Sequence, residues 1–183
     1  MSGVGSYGKV VALLLLVFSV TAVDYAPLLS RNNLAVALLR RGEIDQAIQE
    51  LRAILQRDPT HPLALYNLGV AYQRKGWKRE AITVYQTLLA LDPNQVAARI
   101  NLGILYRAEG RTAQAVAEWQ QAIRLDPTNP LPYLHLGFLY ADQGKKEAAE
   151  EAFSRYEALS QPGGTGTLNA TGSAITPSDP SPR

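Results

Sequence analysis

One ten-residue phrase returns along this chain at a fixed interval. NLGVAYQRKG at 67–76 becomes NLGILYRAEG at 101–110 and HLGFLYADQG at 135–144, each 34 residues after the last. The closing glycine extends the series to four copies: Gly42, Gly76, Gly110 and Gly144. A period of this length constrains the fold strongly. Each unit is too small to bury its apolar face alone, so neighbouring units must stack to build a continuous core. Other columns keep the interval. Alanine recurs at Ala47, Ala81, Ala115 and Ala149, and a large residue at Leu51, Tyr85, Trp119 and Phe153. A small residue recurs at Ala35, Gly69, Gly103 and Gly137, and tyrosine at Tyr72, Tyr106 and Tyr140, with Leu38 in the first copy. Prolines stand at Pro59, Pro93 and Pro127.

Each column has a physical reading. Leu63, Tyr66, Leu68, Val70 and Tyr72 are spaced for one amphipathic helix. Gly76 suits its end, where the chain enters the left-handed region. A second amphipathic run, Ala81, Ile82, Tyr85, Leu88 and Leu89, stops at Asp92-Pro93, because the residue before proline disfavours helix. The unit is therefore helix, turn, helix. A glycine in mid-helix costs about 1 kcal/mol against alanine, so Gly69, Gly103 and Gly137 imply close helix packing. The alanine column on the second helix fits the same contact, with Tyr85, Trp119 and Phe153 filling the remaining space.

Residues 28 to 160, with these small, large and proline columns, resemble the tetratricopeptide repeat family, whose units are 34-residue helical hairpins. The resemblance implies an all-α, right-handed superhelical array of helix–turn–helix repeats, a solenoid. The units span 28–61, 62–95, 96–129 and 130–160, and the first is degenerate. The end copies depart from the pattern: the first has Ala35 and Leu38, and the fourth lacks the expected proline, its nearest being Pro162. Terminal capping units are commonly atypical. The family's early tryptophan column holds Leu65, Arg99 and Tyr133 instead.

In that family the first helix of each hairpin lines a concave wall where partners bind. The resemblance places Asn32, Tyr66, Ile100 and Leu134 in one row of that wall. Asn33, Asn67, Asn101 and His135 form the next, and Val36, Val70, Ile104 and Phe138 a third. An asparagine side chain offers a donor and an acceptor, so a row of them can bond a peptide backbone whatever its sequence. The apolar rows would then select side chains. The competing reading is that Val36 and Val70 pack between hairpins and that some asparagines bond neighbouring backbone. The lysine by which chaperone-binding members clamp a C-terminal carboxylate is absent from the row Asn32, Tyr66, Ile100, Leu134.

Composition narrows the function classes. The chain is 46% hydrophobic and 19% charged, a globular balance. Its net charge of +2 is too small for a field that recruits nucleic acid. No cysteine is present, which removes disulfides, thiolate metal sites and cysteine nucleophiles together. The two histidines, His61 and His135, form no catalytic set with other residues. His61 is expected in a solvated turn, and His135 takes the asparagine position of the wall. Arg40-Arg41, Arg74-Lys75 and Lys78-Arg79 read as a solvated rim around the inter-helix turns, or as a surface attracted to anionic headgroups. No catalytic, metal-binding, nucleotide-binding or other cofactor motif is present, so no enzyme and no cofactor is expected.

Outside the repeats, VVALLLLVFSVTAV at 10–23 carries no charge. Three readings stay open for this 1–24 head: an uncleaved single-helix membrane anchor, a cleavable signal peptide ending near Ala22, and a helix packed on the first repeat. Residues 161–183, rich in Pro, Gly, Ser and Thr, read as a disordered tail. The expectation is a non-catalytic adaptor that binds a protein or peptide partner, anchored at a membrane or exported. A structural alternative is self-association through the last helix, where Tyr156 and Leu159 have no following helix to cover them. The layout of an apolar N-terminal segment before a few repeats is also similar to that of photosystem assembly factors.

Overall fold

The computed structural model describes residues 28–161. The apolar head and the Pro- and Gly-rich tail lie outside them. Among the described residues there are eight helices and no strand. Helix α1 covers 28–41. It is followed by α2 (Ile44–Arg57), α3 (Pro62–Lys75), α4 (Lys78–Leu91), α5 (Val96–Ala108), α6 (Thr112–Leu125), α7 (Leu131–Asp142) and α8 (Lys146–Ser160). The all-α, helix–turn–helix class expected from the period is the one the chain adopts. The chain divides into two compact units between Leu91 and Asp92. In the first, α3 packs against both α2 and α4. In the second, α5 packs on α6, α7 on α8, and α6 on α7.

The turns explain two sequence columns at once. Gly76 has φ +82°, where a side chain would be strained. Its N–H donates to the Gln73 carbonyl at 3.1 Å, and the Trp77 N–H donates to the Tyr72 carbonyl at 2.9 Å. This pair of bonds is the Schellman motif, which satisfies two carbonyls left open at the helix end. The same pair recurs at Gly42, Gly110 and Gly144. The tyrosine column is thereby accounted for. Each tyrosine supplies the carbonyl that accepts from the N–H of the residue after the glycine, and its ring meets that same residue. Trp77 lies 5.6 Å from the Tyr72 ring, Arg111 4.2 Å over Tyr106, and Lys145 5.8 Å over Tyr140. The turn after each second helix is tied differently. Asp58, Asp92 and Asp126 accept from the backbone N–H two residues on, a local turn that competes with further helix.

The core follows the small and large columns. A Cβ on Gly69 would stand 2.5 Å from the Tyr85 ring, on Gly103 2.4 Å from Trp119 Nε1, and on Gly137 2.6 Å from the Phe153 ring. Each mid-helix glycine is thus a slot for the aromatic of its own hairpin. Trp119 and Tyr85 have no exposed surface. The Trp119 indole N–H also donates to the Ile100 carbonyl at 3.1 Å. The first repeat carries a smaller pair at these positions, Ala35 and Leu51, both fully buried. Arg99 occupies the family's tryptophan position. It pairs with Glu118 at 2.8 Å and donates twice to the Pro93 carbonyl. Arg31 and Glu50 form the equivalent pair in the first repeat, whereas the second repeat holds Leu65 and Val84 at those positions.

One expectation is corrected here. His61 is not a solvated turn residue: it is 8% exposed. Its Nδ1 accepts from the Ala64 N–H at 3.2 Å, capping α3 directly before Pro62. An imidazole nitrogen serves here as the N-cap acceptor usually supplied by Ser, Thr, Asp or Asn. The basic rim is exposed at Arg40, Arg41, Arg74, Lys78 and Arg79, as expected of a solvated rim, and several of its side chains are also bonded. Arg74 donates to the Leu39 carbonyl at 2.7 Å, Arg41 pairs with Glu43, and Lys75 pairs with Asp45.

Candidate binding surface

The residues nominated as a partner-binding surface sit on the first helix of each hairpin. In the first unit, Asn33 is exposed on α1, and Tyr66, Asn67 and Val70 are half-buried on α3. The Asn67 side-chain N–H donates to Asn32 Oδ1 at 2.9 Å, and Asn32 is 4% exposed. Part of the asparagine row is therefore spent on its own chain, in a side-chain bond rather than the backbone bond considered from sequence. The Tyr66 ring lies 6.1 Å from that of Tyr85.

In the second unit, Asn101 and Ile104 are half-buried on α5, as are Leu134 and His135 on α7. Phe138 is 47% exposed and meets Phe153 edge-on at 5.3 Å. Ile100 is placed differently. At 4% exposure it is a core residue, and it has no face to offer a partner. Its row position on the wall was inferred from the resemblance alone, which carries no burial signal.

His135 is the most informative member. Its ring stacks on the Trp119 indole, with centroids 5.4 Å apart and planes 18° apart. Burial lowers its pKa below the ordinary 6.5, and the neighbouring Arg107 guanidinium lowers it further. The neutral imidazole is thus the favoured form near neutral pH. Beside it opens a cavity of about 270 Å³ lined by Ile104, Arg107, Ala108, Trp119 and His135. Sequence reasoning missed Arg107, which carries no column signal: its repeat equivalents are Leu39, Gln73 and Ala141.

A second cavity, about 460 Å³, lies on the α7–α8 hairpin between Tyr133, Tyr140, Glu151 and Arg155. Tyr156 and Leu159 are half-buried. No group of three or more His, Cys, Asp or Glu side chains among the described residues could hold a metal ion. No helix among the described residues is long and apolar enough to cross a membrane.

Family models described as tetratricopeptide repeats match residues 32–95, 84–117 and 132–161, and one described as a TPR repeat matches 105–144. Together they run from the first repeat to the last. The chain belongs to the tetratricopeptide repeat family. Solved structures agree with the tetratricopeptide fold. A MamA crystal structure is 24% identical, with a TM-score of 0.68 over 77% of this chain and 82% of its own. MamA from Desulfovibrio magneticus RS-1, from residue 41 to its end, is also 24% identical, with a TM-score of 0.65 over 70% and 73%. A thermophilic TPR protein from Thermus thermophilus is 26% identical, with a TM-score of 0.65 over 73% and 74%. No curated protein sequence matches the chain closely enough to count as a relative. Tetratricopeptide repeats are generally non-catalytic protein–protein interaction modules, and this chain is a protein-interaction adaptor in that coarse sense.

Proposed function

We propose that the chain binds a peptide segment of a protein partner along the first-helix faces of its hairpins. One observation carries this reading. The column Val36, Val70, Ile104 and Phe138 is apolar in all four repeats, yet none of the four is buried. Columns that serve packing, such as Ala47, Ala81 and Ala115, are fully buried. An apolar column that stays half-buried or exposed in every copy leaves apolar surface that folding does not cover, and such surface, when contiguous, commonly marks an interaction site. Asn33, exposed on α1, flanks this column and can satisfy backbone polar groups that a bound segment would otherwise lose to desolvation. Tyr66 stands on the same helix as Val70 in the first unit, and Leu134 and His135 on the same helix as Phe138 in the second.

Affinity measurement tests the reading. A partner is first recovered by crosslinking from native membrane and soluble fractions. It is then titrated calorimetrically into the wild-type chain and into Ile104→Ser and Phe138→Ser. Losing one well-buried apolar contact costs about 1.5–3 kcal/mol, roughly 10- to 150-fold in affinity. Equal affinity at equal helicity would remove the first-helix face as the binding site. A scaffold role at a membrane rests on the sequence of the head alone.

A further inference from the structure

The asparagine row changes to histidine in one repeat, and the change coincides with the cavity of about 270 Å³ beside Trp119. Ligand cavities typically run from about 300 Å³ upward, so this one is at the small end and of a size to take a side chain. Its walls differ in chemistry. Ile104, Ala108 and the Trp119 indole are apolar and suit methylene groups. Arg107 and His135 bring nitrogen groups to the lining. Arg107 is bonded to Asp142 at 2.5 Å, but Asp142 is 66% exposed, and an ion pair so open to water is worth little. The guanidinium can exchange that partner for a carboxylate brought into the cavity, where the bond would be less hydrated and stronger.

We infer that this cavity is a specificity pocket for an acidic side chain, glutamate above all, presented by the bound peptide segment. The methylenes of glutamate would lie on Ile104 and Trp119 while its carboxylate meets Arg107 and His135. This inference rests on the first-helix reading of the binding surface and gives it a residue preference. A carboxylate beside His135 favours the imidazolium, so the ring takes up a proton from solvent as the acidic segment binds. Arg107 from α5 is the charged group that acts on His135, and Asp142 on α7 acts through Arg107. Helix α6 contributes only the uncharged Trp119 to the lining, and α8 contributes nothing.

The repeats supply mild substitutions for the test. Arg107→Gln installs the residue found at Gln73, and His135→Asn the residue found at Asn33, Asn67 and Asn101. The chain has only two histidines, so imidazole signals in a proton NMR spectrum report on each separately. The full-length chain is titrated with capped, amidated pentapeptides AAEAA, AAQAA and AAKAA. A further peptide, AAAAA, carries its free C-terminus as the only carboxylate. The pocket predicts that AAEAA shifts the His135 signals and raises the pKa of that ring, leaving His61 unmoved. Arg107→Gln should weaken AAEAA by about tenfold or more. His135→Asn should retain binding but abolish its tightening at lower pH. Equal effects of the Glu, Gln and Lys peptides at His135, or a Glu preference untouched by Arg107→Gln, would overturn the pocket alone. A response only to the free C-terminus would overturn the side-chain assignment. No response to any peptide, at His135 or elsewhere on the first helices, would count against the binding surface itself and the pocket with it.

Discussion

The Gly103–Trp119 contact gives a sharp energetic test, because the chain contains its own alternative. A Cβ at Gly103 would stand 2.4 Å from Trp119 Nε1, far inside van der Waals contact, and the indole is fully buried. Gly103→Ala must therefore move the indole. Overpacking of this kind costs about 1–3 kcal/mol. Displacing the indole also strains or breaks its bond to the Ile100 carbonyl, and a buried polar group left without a partner costs about 1–3 kcal/mol more. Alanine returns about 1 kcal/mol of helix propensity. The net loss should be about 3 kcal/mol. The first repeat pairs Ala35 with Leu51 at the same positions. Trp119→Leu alone should cost about 2–4 kcal/mol through lost packing. In that background Gly103→Ala should be neutral, or stabilising by up to about 1 kcal/mol. The four chains form a double-mutant cycle, read by urea unfolding with far-ultraviolet circular dichroism. A coupling of about 2 kcal/mol or more is expected, as for residues in direct contact. An equal cost of Gly103→Ala in both backgrounds would refute the slot.

Further outcomes follow from other contacts. Gly110→Ala should cost about 1–2 kcal/mol through backbone strain alone, since φ is +74° and a Cβ there meets nothing within 4 Å; unchanged urea midpoints would contradict it. Arg99→Leu alone should destabilise by about 1–3 kcal/mol by stranding Glu118, whereas Arg99→Leu with Glu118→Val, the second repeat's pair, should be near neutral; additive losses would show no coupling. His135 makes stability depend on pH. Its folded pKa lies below the ordinary 6.5, so the unfolded chain binds the proton more readily. Stability should fall as pH drops from about 6.5 toward the folded value, and His135→Asn should flatten that slope in thermal melts; an unchanged slope would put the titrating group elsewhere.

The hairpin architecture was legible because its determinants are local and repeated. Gly76 and Asp92 end helices by bonds to their near neighbours, and the glycine slots announce themselves by standing where helix propensity disfavours them. The His61 cap was not legible, since imidazole is an uncommon N-cap and its turn setting suggested solvent. The Tyr72 column was seen but not explained. Its role depends on the residue five places on, Trp77, whose equivalents Arg111 and Lys145 differ in type. On the proposed surface, the row of Val70, Ile104 and Phe138 came from the family resemblance, and the structure leaves these residues half-buried or exposed. Ile100 was not separable from them by sequence, because burial depends on which way one turn of α5 faces. Arg107 could not be found, because a cation that appears in one repeat alone leaves no column.

Site-specific photo-crosslinking tests most directly whether partners meet the first-helix faces. A photoreactive phenylalanine analogue is placed at Phe138 or Asn33, and as controls at Gln120 on α6 or Thr87 on α4, which are exposed on second helices. The account predicts that one partner protein crosslinks at Phe138 and Asn33 and is absent at the two control positions. Crosslinking to that partner from Gln120 or Thr87, with none from Phe138 and Asn33, would contradict it.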